Sequence, residues 1–198
     1  MFVTFEGLDG SGKTTQVELL RAALAEEGRD VVVTREPGGT RLGERVRELL
    51  LGEGDISPWA EAALFAAARA ELVDRVIAPE LSRGVDVICD RYIDSSLAYQ
   101  GIARGLGVER VLELNLHATR GVLPDRTFLL LLDPERASGR LGDAPDRIEL
   151  EGRDFRAAVD AAYRSLAEMF PQRVIPIDAG RDPQEIAEDV RGRLRDLS

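Results

Sequence analysis

The segment EGLDGSGKTTQ, Glu6–Gln16, decides how the rest of this 198-residue sequence is read. Of 26 basic residues 25 are arginine, and the one lysine, Lys13, stands in this glycine-rich stretch. Gly7 to Thr14 satisfy G-x-x-x-x-G-K-[ST] at each fixed position, between an apolar run and a helical pattern. Gly7, Gly10 and Gly12 permit backbone conformations that turn consecutive N–H groups inward onto an anion. The loop Gly7, Leu8, Asp9, Gly10, Ser11, Gly12, Lys13 and Thr14 therefore reads as a cradle for nucleotide phosphates. A helix starting at Lys13 adds its partial positive charge. Lys13 supplies a compact ammonium on a flexible stem, reaching between β- and γ-phosphates where a planar guanidinium would sit poorly. Thr14 offers a hydroxyl to Mg2+.

Composition bounds what surrounds this loop. A chain of 198 residues, 44% hydrophobic and 31% charged, is about one domain with a proper core. No run of 18 apolar residues is present, so nothing is expected to span a membrane, and Met1 leads into FVTFEG without a signal-peptide pattern. The single Cys89 excludes an internal disulfide and fits a reducing cytoplasm. A net charge of −10 argues against broad nucleic-acid binding, while a small anionic ligand remains compatible with locally gathered arginines.

Short apolar runs alternate with helical patterns. Strands are expected at Phe2–Phe5, Asp30–Thr34, Val85–Cys89, Phe128–Leu132 and Val174–Ile177, each reading as covered on both faces. Helices are expected at 13–27, 41–51, 58–78, 107–118, 152–169 and 183–196. The alternation predicts an α/β fold, a doubly wound five-stranded parallel sheet with helices on both faces. Ligands then gather beyond the carboxyl ends of the strands.

Those ends carry charge. Asp90 stands where a second acidic residue completes a Mg2+ shell through water, and Arg91 beside it can grip a phosphate bidentately. Arg35, Glu36 and Arg47 follow the second strand, opposite the phosphate loop. On helix 58–78, Leu64, Ala68, Leu72 and Val76 form the expected core stripe, and Phe65 and Arg69 project together beside it. A GTPase reading falls, because N-K-x-D needs a second lysine, and a motor or helicase needs a larger, more basic body. A small kinase remains.

FEGLDGSGKTTQ, REPGGT, LFAAARAEL, DRYIDSSLAYQG and DRIELEGRDF, in that order, resemble the bacterial thymidylate kinases among the P-loop nucleoside monophosphate kinases, over nearly the whole chain. The resemblance implies one domain, 1–198, transferring the γ-phosphoryl of ATP to dTMP with Mg2+ to give dTDP. It implies a homodimer, joined through long helices such as 58–78, while the composition points to a cytoplasmic protein with no nucleic-acid or membrane partner. By similarity Phe65 stacks on thymine, Arg69 donates to its O4, and Ser96 and Gln100 face the base. Tyr99 lies near the sugar, Asp9 near the 3′-hydroxyl and acceptor phosphate, Glu36 and Arg47 line the pocket, and Arg91 clamps the acceptor phosphate. The acceptor oxygen is already anionic, so alignment and charge neutralisation suffice and the single His117 reads as a surface residue.

In this family an arginine from the phosphate loop or from a lid stabilises the transferring phosphoryl. This loop has none at its variable positions, so the arginine is expected from a short lid at about 136–150, interrupted by Gly139, Gly142 and Pro145. Arg140 is the first candidate, with Arg136 and Arg147 as alternatives. Kinases for dUMP, AMP or CMP and a non-catalytic nucleotide-binding regulator are the competing readings. Lys13, Thr14, Asp90 and Arg91 speak against the regulator, which needs no transition-state charges.

Overall fold

The computed structural model describes residues 1–52, 54–142 and 146–195. Five parallel strands form one sheet in the order β2-β3-β1-β4-β5. They are β1 (Phe2–Glu6), β2 (Val31–Arg35), β3 (Asp86–Asp90), β4 (Arg126–Leu131) and β5 (Val174–Asp178). Each expected strand is present, with ends moved by one or two residues. β1 is buried along its whole length, as an apolar run covered on both faces requires. β2 departs from that expectation: it is an edge strand, and its Val33 is exposed.

Helix α1 (Lys13–Glu26) lies against β1, β2 and β3 and packs on α9 (Pro183–Gly192). Helix α8 (Arg153–Met169) packs on β4, β5 and residues Leu97–Ala103. Helix α2 (Arg41–Leu51) pairs with α3 (Pro58–Leu72), which also meets α6 (Val108–Thr119). Asp182 caps α9 through Gln184 N–H, and the expected end of that helix at 196 lies outside the described residues.

The helix expected over 58–78 does not run through as one. After Leu72 the coil widens into a π-turn, Val73–Ile77, and resumes as α4 (Ala78–Ser82). Pro79 has no N–H and its ring crowds the preceding turn, so widening there accommodates it. The expected stripe also divides. Leu72 enters the main core, whereas Ala68, Leu64 and Phe65 pack with Val46 and Leu50 of α2. A short helix α5 (Ile93–Ser96) runs into a second π-turn, Leu97–Ala103, in a stretch for which no helix is expected from periodicity.

Register aligns the carboxyl ends of the central strands. Asp90 of β3 stands level with Phe5 of β1 and Arg35 of β2. The phosphate loop, Glu36 and Arg91 therefore emerge side by side, at the point where the chain switches from one side of β1 to the other.

Candidate active site

The phosphate loop closes against β4 and the segment after it. Gly7 has φ 135° and Gly10 has φ 81°, and a Cβ on either would strike a backbone carbonyl, of Leu130 and Ala137 respectively. Only glycine fits both places. Lys13 opens α1 and is buried, with Nζ donating to the Gly7 and Leu8 carbonyls at 3.2 and 2.9 Å and lying 3.6 Å from Asp9. Burial, then the nearby Arg91 charge, lowers its pKa. Thr14 Oγ1 donates to Asp90 Oδ2 at 3.1 Å, bringing together the hydroxyl and the carboxylate read as cation ligands. Both residues line one open cleft with Lys13, Arg35, Arg91 and Arg140.

Arg91 is held in a left-handed conformation, φ 68°, with its N–H on the Phe5 carbonyl at 2.9 Å. Its guanidinium donates to Asp9 at 2.7 Å, to Ser95 Oγ at 3.0 Å and to Tyr163 OH at 3.1 Å. Behind those two hydroxyls lies fully buried Glu6, which accepts from Ser95 Oγ at 2.6 Å and Tyr163 OH at 2.8 Å. Each hydroxyl gives its hydrogen to Glu6, and its lone pairs face Arg91. Burial, then the Asp94 charge, raises the Glu6 pKa. Burial also opposes ionisation of Asp9, but the charges of Arg91 and Lys13 prevail and hold it below the usual carboxylate range. Sequence reading missed Glu6, Ser95 and Tyr163. Glu6 lies one residue past the strand expected at Phe2–Phe5, and Tyr163 lies within the helix expected at 152–169.

A second pocket opens beside this clamp. Asp9, Glu36, Arg47, Phe65, Arg91, Ser96, Tyr99 and Gln100 all line it, joined by Asp146 and Ile148, which sequence reading did not single out. Arg47 donates to the Pro37 carbonyl at 3.1 Å. The Tyr99 ring lies 5.6 Å from the Arg91 guanidinium carbon.

Arg69 is not in that lining. It is 1% exposed and lies beneath the pocket. Its Nε and NH2 hold Glu36 at 2.7 and 2.6 Å, NH2 also reaches the Tyr92 carbonyl at 2.9 Å, and NH1 serves Ser96 Oγ at 2.9 Å and Asn115 Oδ1. Four hydrogen bonds, to Glu36, Tyr92, Ser96 and Asn115, thus hold the guanidinium in place. Ser96 Oγ accepts from Arg69, and its own hydrogen is left for an acceptor in the pocket. Glu36 Oε1 is buried without a hydrogen-bond partner. Burial pushes the Glu36 pKa up to about 7 against the pull of Arg69.

The lid candidates separate. After α7 (Pro134–Ser138), capped by Asp133, Arg140 reaches back to the Gly10 carbonyl at 3.4 Å and lines the phosphate cleft. Arg136 lies toward Asp178 and Gly180, in a different groove. Arg147 turns away from the phosphates, donating to the Leu50 carbonyl at 2.8 Å and to Glu61. Pro145 lies outside the described residues. His117 is exposed near the end of α6.

Comparison with known proteins agrees with this geometry. The family model described as thymidylate kinase matches residues 5–190. A thymidylate kinase of Leifsonia xyli subsp. xyli is 52% identical over 198 residues, covering 98% of this chain and 94% of that protein. One from Bifidobacterium longum strain DJO10A is 49% identical over 203 residues, covering 100% of this chain and 98% of that protein. The crystal structure of thymidylate kinase from Ehrlichia chaffeensis superposes with a TM-score of 0.81 at 36% identity, covering 98% of both chains. On a phosphate loop, an arginine clamp and a lined acceptor pocket on one parallel sheet, with these likenesses over its whole length, the chain belongs to the thymidylate kinase family and phosphorylates dTMP.

Proposed function

We propose that the γ-phosphoryl of ATP passes to the 5′-phosphate of dTMP across the space between the phosphate loop and Arg91. The observation that carries this reading is the shared position of Asp9 and Arg91, which line both the phosphate cleft and the acceptor pocket. The acceptor phosphate oxygen is an anion, so the protein's task is to align it and neutralise charge. Lys13 and the loop N–H groups hold the donor phosphates. Arg91, oriented by Asp9, Ser95 and Tyr163, holds the acceptor phosphate. Arg140, already beside Gly10, supplies positive charge to the transferring group.

Thr14 and Asp90 fit a Mg2+ shell: they meet at 3.1 Å and face the cleft. Among the described residues no group of three or more His, Cys, Asp or Glu could hold a metal alone, so nucleotide oxygens complete the set. When bound, Mg2+ neutralises charge on the donor phosphates. In the acceptor pocket Phe65 stacks on thymine, Ser96 and Gln100 face its polar edge, and Tyr99 and Asp9 lie along the sugar. The active form is a cytoplasmic homodimer joined along α3, whose Trp59 is 46% exposed. Among the described residues no helix is long and apolar enough to cross a membrane.

An ADP-release assay with ATP and Mg2+ against dTMP, dUMP, dCMP, dAMP and dGMP tests the substrate reading. Preference for dTMP is the expected result, and equal rates on all five would overturn the assignment of the base pocket. Light scattering on the eluting protein tests the dimer.

A further inference from the structure

Glu61 stands in the first turn of α3, where an acidic side chain ordinarily serves only the helix dipole. It is nevertheless 1% exposed, and its carboxylate accepts from Arg104 through Nε and NH2, both at 3.2 Å, from Arg147, and from Gln100 Nε2 at 2.8 Å. Burial works against ionisation, but hydrogen bonds from Arg104, Arg147 and Gln100 prevail and hold the carboxyl below its usual range. An ionised carboxylate has no hydrogen to give, so only the NH2 end of the Gln100 amide can face it. Gln100 lines the acceptor pocket, and with Nε2 turned to Glu61 the opposite end of its amide is Oε1.

A glutamine amide that can turn over presents either a donor or an acceptor. Opposite the N3–C4 edge of a pyrimidine, a free glutamine satisfies thymine with Oε1 on N3–H. Turned over, it satisfies cytosine with Nε2 on N3. A glutamine fixed in the first orientation meets the cytosine N3 lone pair with its own and rejects it. We propose that Glu61 is a specificity-determining positioning residue, holding the Gln100 amide with Oε1 toward the base so that the pocket takes 4-oxo pyrimidines carrying N3–H and excludes cytosine. The inference rests on the reading that the base of the acceptor lies beside Phe65 and Gln100. Arg147 comes from the same segment as Asp146 and Ile148, so the chain that roofs the pocket also secures its reading group.

The test compares kcat and KM for dTMP, dUMP and dCMP between the wild type and Glu61→Gln, with the KM for ATP and the melting temperature measured alongside. The amide that replaces the carboxylate can donate as well as accept, which frees Gln100 to turn over. The dTMP-to-dCMP ratio of kcat/KM is expected to fall at least about tenfold, carried by KM, with the ATP KM within about twofold of wild type. An unchanged ratio in the folded variant overturns the inference. Where Glu61→Gln does not fold, Glu61→Asp, which keeps the charge but withdraws it from Gln100, carries the same comparison and the same two outcomes. With the wild type, 3-methyl-dTMP, which lacks N3–H, is expected to raise KM about tenfold, and a KM equal to that of dTMP overturns the inference. A wild type that does not prefer dTMP over dCMP would sink the pocket reading itself, a result distinct from normal preference left untouched by Glu61 substitution.

Discussion

Eight consecutive residues, Gly7 to Thr14, build the phosphate loop, and much of its polarity is backbone. The acceptor pocket next to it draws Glu36 from the end of β2, Phe65 from α3, Arg91 from the end of β3, and Ser96, Tyr99 and Gln100 from the turns that follow. Buried ion pairs support its walls, Glu36 with Arg69 and Glu61 with Arg104 and Arg147. A site of backbone groups is set once its strand–loop–helix segment folds. A site of buried side-chain pairs is set only when several distant segments arrive together, and each pair left incomplete exposes an uncompensated charge. The first should therefore fail by lost chemistry with the fold intact, and the second by lost placement and lost stability together.

The largest expected effect lies on the loop. Lys13→Arg keeps the charge but not the compact shape, and kcat is expected to fall about a thousandfold with an unaltered melting temperature. A folded variant with near-normal kcat would break the contrast at its strongest point. Arg140→Ala removes the charge beside Gly10, and steady-state turnover is expected to drop about a hundredfold. Unchanged turnover would move the lid role to another arginine.

On the other side of the comparison, Arg69→Met leaves Glu36 buried without its partner. Chemical denaturation should show a loss of about 3–5 kcal/mol, together with a raised KM for dTMP and little change in the KM for ATP. A loss confined to activity would mean that the pocket charges are less interdependent than their contacts indicate. The smallest effect sharpens the picture through pH. Glu36 has its pKa raised from 4.5 to about 7, so the stability tied to its neutral form is full below 4.5 and is lost as pH climbs through 7. Melting temperatures of the wild type should therefore decline across that window, and Glu36→Gln should flatten the slope. Equal slopes would show that Glu36 is charged throughout.

The same division governs how much of the molecule could be read from its sequence. The loop was legible because its motif is local and each residue type has a reason tied to one ligand group. The sheet was legible because apolar runs of strand length alternate with helical periods, and all five strands stand within two residues of expectation. The break after Leu72 was less so, since Ala-rich periodicity continues through it and the disruption comes from Pro79 downstream. Phe65 and Arg69, four apart on one helix, read as equal partners facing a ligand. In the structure Glu36, Ser96 and Asn115, from three other segments, draw Arg69 under the pocket floor. Glu6 and Glu61 went unrecognised for the same reason: a carboxylate's partners are set by tertiary neighbours, and neither a strand end nor a helix first turn announces them.

Because Lys13 is the sole lysine, a lysine-specific protease finds a single cleavable bond in this chain, Lys13–Thr14, in the first turn of α1 with the lysine side chain buried. Cutting it requires that turn to leave its native shape, so the appearance of one pair of fragments is a clock for local opening of the phosphate loop. ATP should slow that clock in proportion to its occupancy, and the rest of the molecule, rich in arginine, stays silent to the same protease.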